Sequence, residues 1–133
     1  MFWDAWPIAR ILILFVSLAF MLMAIQVTMY HYRQNFHHKA MWAPVILSPI
    51  FFIAGLVFTF YNANGLSVLF QILMWLGVVS GMIGFYYHFR GVGVRVGGWA
   101  LRNFLIGPPV VLPVMFTAVS VLGLIAVYWR QPL

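Results

Sequence analysis

The chain has 133 residues, of which 65% are hydrophobic and only 6% are charged. Ordinary soluble domains carry about 25% charged residues, so a soluble globule, a coiled coil and a disordered chain are excluded, and the composition indicates an integral membrane protein. The absence of cysteine excludes disulfides, thiolate metal sites and covalently attached c-type haem. The net charge of +6 does not indicate nucleic acid binding, because the basic residues are sparse and flank apolar segments.

Four apolar segments follow one another along the chain, at residues 8–32, 44–61, 66–89 and 103–129. Each is long enough, at 1.5 Å per residue, for a helix that crosses a hydrocarbon core of about 30 Å. The Asn/Gly-rich turn at residues 61–65 makes the second and third spans antiparallel neighbours. The sequence therefore predicts an all-α integral membrane protein: a single domain of residues 1–133 with four transmembrane helices in an up-down bundle.

The basic residues predict how the spans are oriented. Five of the seven Lys and Arg residues lie in the loops at 33–43 and 90–102, against Arg10 and Arg130 on the other side. By the positive-inside rule, both loops are cytoplasmic and both termini lie outside an inner or plasma membrane. The first span is too long for a signal-peptide core and has no small-residue cleavage site, so we expect it to be part of the mature protein.

The two halves of the chain share a pattern. Tyr-His-Tyr-Arg at 30–33 corresponds to Tyr-His-Phe-Arg at 87–90 with an offset of 57 residues, and Trp42 corresponds to Trp99 at the same offset. A seven-residue slip then aligns Pro44 with Pro108. The pattern predicts a tandem parallel repeat of two helical hairpins, residues 8–61 and 66–129. The alternative is convergence, since aromatic, His and Arg side chains favour any inner helix end.

His31 and His88 are the candidate ligands of a cofactor. They lie at the same depth, on spans that are diagonal in an up-down bundle, so their imidazoles can bind one iron between them, as in a b-type haem with two axial His ligands. Arg33 and Arg90 would then pair with the haem propionates. A metal-bound imidazole is neutral with its other nitrogen hydrogen-bonded, so we expect a backbone carbonyl or Gln26 beside one ring. The alternative is that both His residues are interfacial side chains that snorkel to the head groups.

Two further segments contain groups that can bind ligands. Adjacent His37 and His38 are expected in a solvated or partner-docking loop, and are alternative axial ligands if that loop folds back. Residues 91–98 are rich in glycine but follow a membrane helix, so they do not form a dinucleotide-binding turn. We expect a flexible loop there, with binding of a lipid phosphate, a propionate or a quinone head group as the alternative. The Gly77-x3-Gly81 pair, with Ser80 and Gly84, predicts close packing of the third span, within the bundle or towards another subunit.

Function is constrained mainly by what the spans lack. No Asp, Glu, Lys or Arg lies in the middle of any span, which disfavours proton relays, ion-coupled transporters and any self-sufficient enzyme, and we assign no catalytic residue. We expect a small membrane subunit of a larger respiratory or redox complex that anchors partner subunits and carries one b-type haem for electron transfer with quinone. The alternative is a structural or assembly subunit without cofactor that docks proteins through its basic loops. A lipid- or solute-handling repeat protein is a third, less favoured class.

Overall fold

The computed structural model describes residues 3–129, and this part of the chain is helical without strands. Its helices are α1 (Ile8–Arg33), α2 (Trp42–Phe60), α3 (Asn64–Arg95), α4 (Leu101–Ile106) and α5 (Val111–Trp129), with a 3-10 turn at Lys39–Met41 before α2. Four of them, α1, α2, α3 and α5, are long and apolar enough to cross a membrane. The predicted all-helical class and the predicted number of membrane-length apolar helices are confirmed for these residues. Arg130, one of the two cations assigned to the outer side, lies outside the described residues.

Two predicted boundaries are wrong, and both lie around the second basic loop. Helix α3 continues to Arg95 instead of ending at Phe89, so residues 91–95 of the expected flexible loop are helical. Glycines are needed there because other groups pack closely on the helix: a Cβ at Gly91 would lie 3.0 Å from Pro108, and one at Gly93 would overlap the Trp99 ring.

The fourth predicted span, 103–129, is also interrupted. It divides into α4 and α5 at residues 107–110, which include Pro108 and Pro109. Neither proline has an N–H to donate, and each ring obstructs the preceding turn, so a continuous helix cannot pass through them.

The long helices each pack on two others. Helix α1 packs most closely on α2 and α3 on α5, while α1–α5 and α2–α3 contacts complete the arrangement. The predicted glycine stripe lies on the α3–α5 contact, where a Cβ at Gly77 would overlap Ser120 and one at Gly81 would overlap Thr117. Small residues here let the two helix backbones approach, as the sequence predicted.

The apolar core fills the half of the bundle nearest the N-terminus of α1. Phe20, Phe51 and Phe116 form an aromatic layer with ring centroids 5.0 to 5.9 Å apart, and Gly77 on α3 leaves room for Phe51. Further toward the same end, Phe58 packs on Phe70 at 5.6 Å. Met23, one turn beyond Phe20, is the last α1 residue of this core, and the core does not extend through the rest of the other half of the bundle.

Candidate functional site

The half of the bundle beyond the aromatic layer contains a cavity of about 1140 Å³. Phe116 of the aromatic layer contributes to its wall, and α1, α2, α3, α4 and α5 all contribute residues. The four side chains proposed from the sequence as cofactor ligands, His31, His88, Arg33 and Arg90, all line this one cavity. Side chains 57 residues apart in the sequence thus come together at the end of the bundle that the two basic loops cover.

His31 is held by the segment that begins the next helix. It is 8% exposed, in the last turn of α1, and its Nδ1 lies 2.7 Å from the backbone carbonyl of Met41. A carbonyl oxygen only accepts, so Nδ1 carries the proton and donates it. In the neutral ring this leaves the lone pair on Nε2, the atom available to a metal.

His88 is held in the same way by the second half of the chain. It is half-buried on α3, and its Nδ1 donates to the carbonyl of Pro109 at 2.7 Å. That carbonyl lies in the break between α4 and α5. If α5 began one turn earlier, the Pro109 carbonyl would accept a hydrogen bond from the N–H of residue 113. Residue 113 is a proline, however, and has no N–H. The carbonyl therefore stays available to the imidazole. A backbone carbonyl was expected beside one ring, and the structure places one beside each.

The two imidazoles face a common space. Their ring centroids are 6.4 Å apart and the ring planes are inclined by 63°. Imidazole nitrogens bind divalent metals at about 2.0–2.1 Å, and each nitrogen lies about 1.2 Å from the centre of its ring. Two imidazoles on opposite sides of one metal therefore have ring centroids about 6–6.5 Å apart. The observed separation is compatible with a single metal between the two rings.

Arg33 and Arg90 supply positive charge at the mouth of the cavity. Both are exposed, and within residues 3–129 neither guanidinium has a hydrogen-bond or ion-pair partner. The single acid of the sequence, Asp4, adjoins Trp3, whose indole donates to the carbonyl of Phe58 at the opposite end of the bundle. Positive charge without a nearby acid makes this mouth suited to a carboxylate or phosphate group.

His37 and His38 also line the cavity, but their lone pairs are used within the protein. His37 Nδ1 donates to the Gln34 carbonyl at 3.1 Å, and its Nε2 accepts from Arg95 at 2.7 Å. His38 Nδ1 accepts from the backbone N–H of Ala40 at 3.1 Å. The His37–Arg95 bond joins the two basic loops across the cavity end, and it leaves His31 and His88 as the pair whose Nε2 lone pairs remain available.

The sequence led us to expect a backbone carbonyl beside a ring, but it did not show which carbonyls orient the two rings. Met41 is ten residues beyond His31, and Pro109 is twenty-one residues beyond His88, so no common spacing identifies them. One local signal was present, because Pro109 and Pro113 are four residues apart and leave one carbonyl without its helical donor. Comparison of the chain with family models, with curated proteins and with solved structures gives no match.

Proposed function

We propose that this protein is a small membrane subunit of a redox complex that binds one b-type haem in the cavity between α1 and α3. The observation that carries the proposal is the His31–His88 pair: two imidazoles 6.4 Å apart, each with Nδ1 donating to a backbone carbonyl. This tautomer presents Nε2 to a metal, and a hydrogen bond on the far nitrogen fixes the ring and strengthens its ligation.

The number of donors favours haem over a metal ion bound by side chains alone. Within residues 3–129 no group of three or more His, Cys, Asp or Glu side chains can hold a metal. Zinc in proteins takes three or four protein ligands, so two imidazoles make a poor zinc site. Haem brings four nitrogens of its own and needs only one or two protein ligands, which is the donor set that the cavity offers.

The charges favour the same ligand. Haem is an apolar ring with two carboxylates on one edge, and the cavity combines an apolar interior with Arg33 and Arg90 at its mouth. We propose that these guanidinium groups bind the propionates, since arginine pairs with carboxylates in a bidentate geometry. When bound, the haem supplies a one-electron redox centre. The protein's residues hold and orient it, and the apolar core seals the opposite end of the bundle.

The setting of this site is part of the proposal. We propose an up-down bundle in an inner or plasma membrane, with both termini outside and the basic loops on the cytoplasmic side, where partner subunits would dock. We also propose that hairpins 8–61 and 66–129 arose by duplication. Support comes from one kind of contact made in both halves: each His bonds a backbone carbonyl shortly before the next long helix.

The test is the optical spectrum of the full-length protein, produced in a haem-replete host and purified in mild detergent. We expect a reducible spectrum of low-spin haem and one haem per chain by extraction. His31→Ala and His88→Ala should each abolish the low-spin bands. His37→Ala and His38→Ala are the matched controls and should retain them, because their lone pairs are already used.

Two results would contradict the proposal. If the wild-type protein contains no haem under these conditions, the structural or assembly function is the better explanation. If haem is bound but survives loss of either His31 or His88 unchanged, the axial ligands are wrong. A normal elution profile in size-exclusion chromatography shows that a variant without haem is folded, and so separates loss of ligation from misfolding.

A further inference from the structure

Where the cavity is lined by α2 and α3, its wall reaches the outer surface of the bundle. These helices are joined at the far end of the bundle and pack least closely of the neighbouring long pairs. Ala43 and Leu47 of α2 and Leu76, Val79 and Ile83 of α3 all line the cavity. The three α3 side chains are nevertheless 45 to 51% exposed, so they stand at the boundary between the cavity and the outer surface. In a bilayer, that surface faces the lipid chains.

One polar side chain in this part of the cavity lacks a partner. The Ser80 hydroxyl lines the cavity and has no hydrogen bond within residues 3–129. Other hydroxyls in the spans are satisfied: those of Ser17, Thr28, Ser48, Thr59 and Ser120 donate to the carbonyl four residues earlier in their own helix. Ser80 is therefore free to donate to a ligand, in a place where water is scarce and an unsatisfied donor is costly.

The depth of Ser80 restricts the ligand. It precedes His88 by eight residues on α3, which is about 12 Å along the helix axis, and it lies about 15 Å below Arg90. The charged side chains that line the cavity, Arg33, Arg90 and Arg95, all lie in the two basic loops. A charged lipid head group would be costly at this depth, whereas a neutral group that accepts a hydrogen bond, attached to an apolar tail, suits it.

We propose that the cavity opens to the lipid between α2 and α3 and that this opening is a binding site for a lipid-soluble quinone. One quinone carbonyl accepts a hydrogen bond from Ser80, the ring lies between Leu47 and Val79, and the tail extends into the bilayer. That this quinone would exchange electrons with a haem rests on the proposed function. A quinone here would lie about 12 Å along the helix from His88, one of the proposed haem ligands. The binding itself does not require the haem, and it can be measured without it.

The probe is a benzoquinone with a ten-carbon tail, used with wild-type protein in phosphatidylcholine nanodiscs, and its azido derivative for photolabelling. We expect saturable binding and label on residues 43–47 and 76–83. Ser80→Ala should weaken binding about two- to ten-fold, the usual worth of a neutral hydrogen bond. Ser120→Ala, which removes a hydroxyl satisfied within its own helix, should not change the affinity.

A second pair of variants tests the opening rather than the hydrogen bond. Leu47→Trp should fill the opening and abolish saturable binding, whereas Ile53→Trp, on a 58% exposed position of the same helix, should not. The proposal is overturned if Ser80→Ala and Leu47→Trp both bind as the wild type does, or if label appears only on acyl-chain-facing residues elsewhere. Repeating the measurement on the haem-free His88→Ala variant separates the two proposals, because quinone binding there stands whether or not the wild type carries haem.

Discussion

Replacement of Gly81 by alanine tests whether the α3–α5 contact positions the site. A Cβ at residue 81 would overlap the Thr117 hydroxyl and lie 2.8 Å from both the Pro113 carbonyl oxygen and the Thr117 nitrogen. Two of these atoms belong to the backbone of α5, so a side chain cannot turn aside to make room. Helix α5 must move away from α3 by several tenths of an ångström.

The size of the effect follows from three contributions. Overpacking of this kind costs about 1–3 kcal/mol. The shift also weakens the bond that Thr117 donates to the Val78 carbonyl at 3.1 Å, for which a membrane hydrogen bond is worth about 0.6 kcal/mol on average. Alanine is better than glycine inside a helix by about 1 kcal/mol. The net expectation is a loss of about 0.5–2.5 kcal/mol, with a longer His88–Pro109 hydrogen bond, because Pro109 precedes the displaced turn.

The assay is reversible unfolding of the detergent-solubilised protein by SDS, followed by circular dichroism. Gly65→Ala is the matched control on the same helix, since a Cβ there meets nothing within 4 Å, and it should be neutral or slightly stabilising. The reasoning is refuted if Gly81→Ala is as stable as Gly65→Ala. In that case α5 does not press on α3 as described, and the position of Pro109 has another cause.

Three further outcomes are expected. Arg90→Gln should speed haem dissociation about two- to five-fold, the usual contribution of an exposed ion pair, without changing the spectrum. The control is Arg102→Gln, which should leave the dissociation rate unchanged because Arg102 does not line the cavity. His37→Ala removes the hydrogen-bond acceptor that joins the two basic loops. Trypsin should therefore cleave this variant after Lys39 several-fold faster than the wild type, while the unfolding midpoint stays the same. Equal cleavage rates in the two proteins would show that this hydrogen bond does not restrain the loop. Because the native chain has no cysteine, single cysteines at Lys39 and Ala63 should be labelled by a membrane-impermeant maleimide from opposite sides, and labelling of both from one side would contradict the topology.

Local sequence patterns were enough to identify the four membrane-length helices, but they missed the end of the third and the break in the fourth. Apolar runs of 18 to 27 residues predicted the four spans, because a helix in lipid must satisfy its own backbone and present apolar side chains all round. The same patterns predicted that His31 and His88 lie at one depth. They also predicted the glycine stripe, because close helix contact in lipid requires small residues.

Only the tertiary structure showed how those helices contact one another. Glycines at 91 and 93 are poor helix formers alone, yet α3 continues through them because Pro108 and Trp99 pack over the positions where side chains would stand. The 6.4 Å separation of the imidazoles, their carbonyl partners and the cavity wall beside Ser80 depend on residues far apart in the sequence. The periodicity of a sequence shows which faces of a helix are apolar. The imidazole separation, the carbonyl partners and the cavity wall depend instead on how the faces of different helices contact one another, so only the tertiary structure could show them.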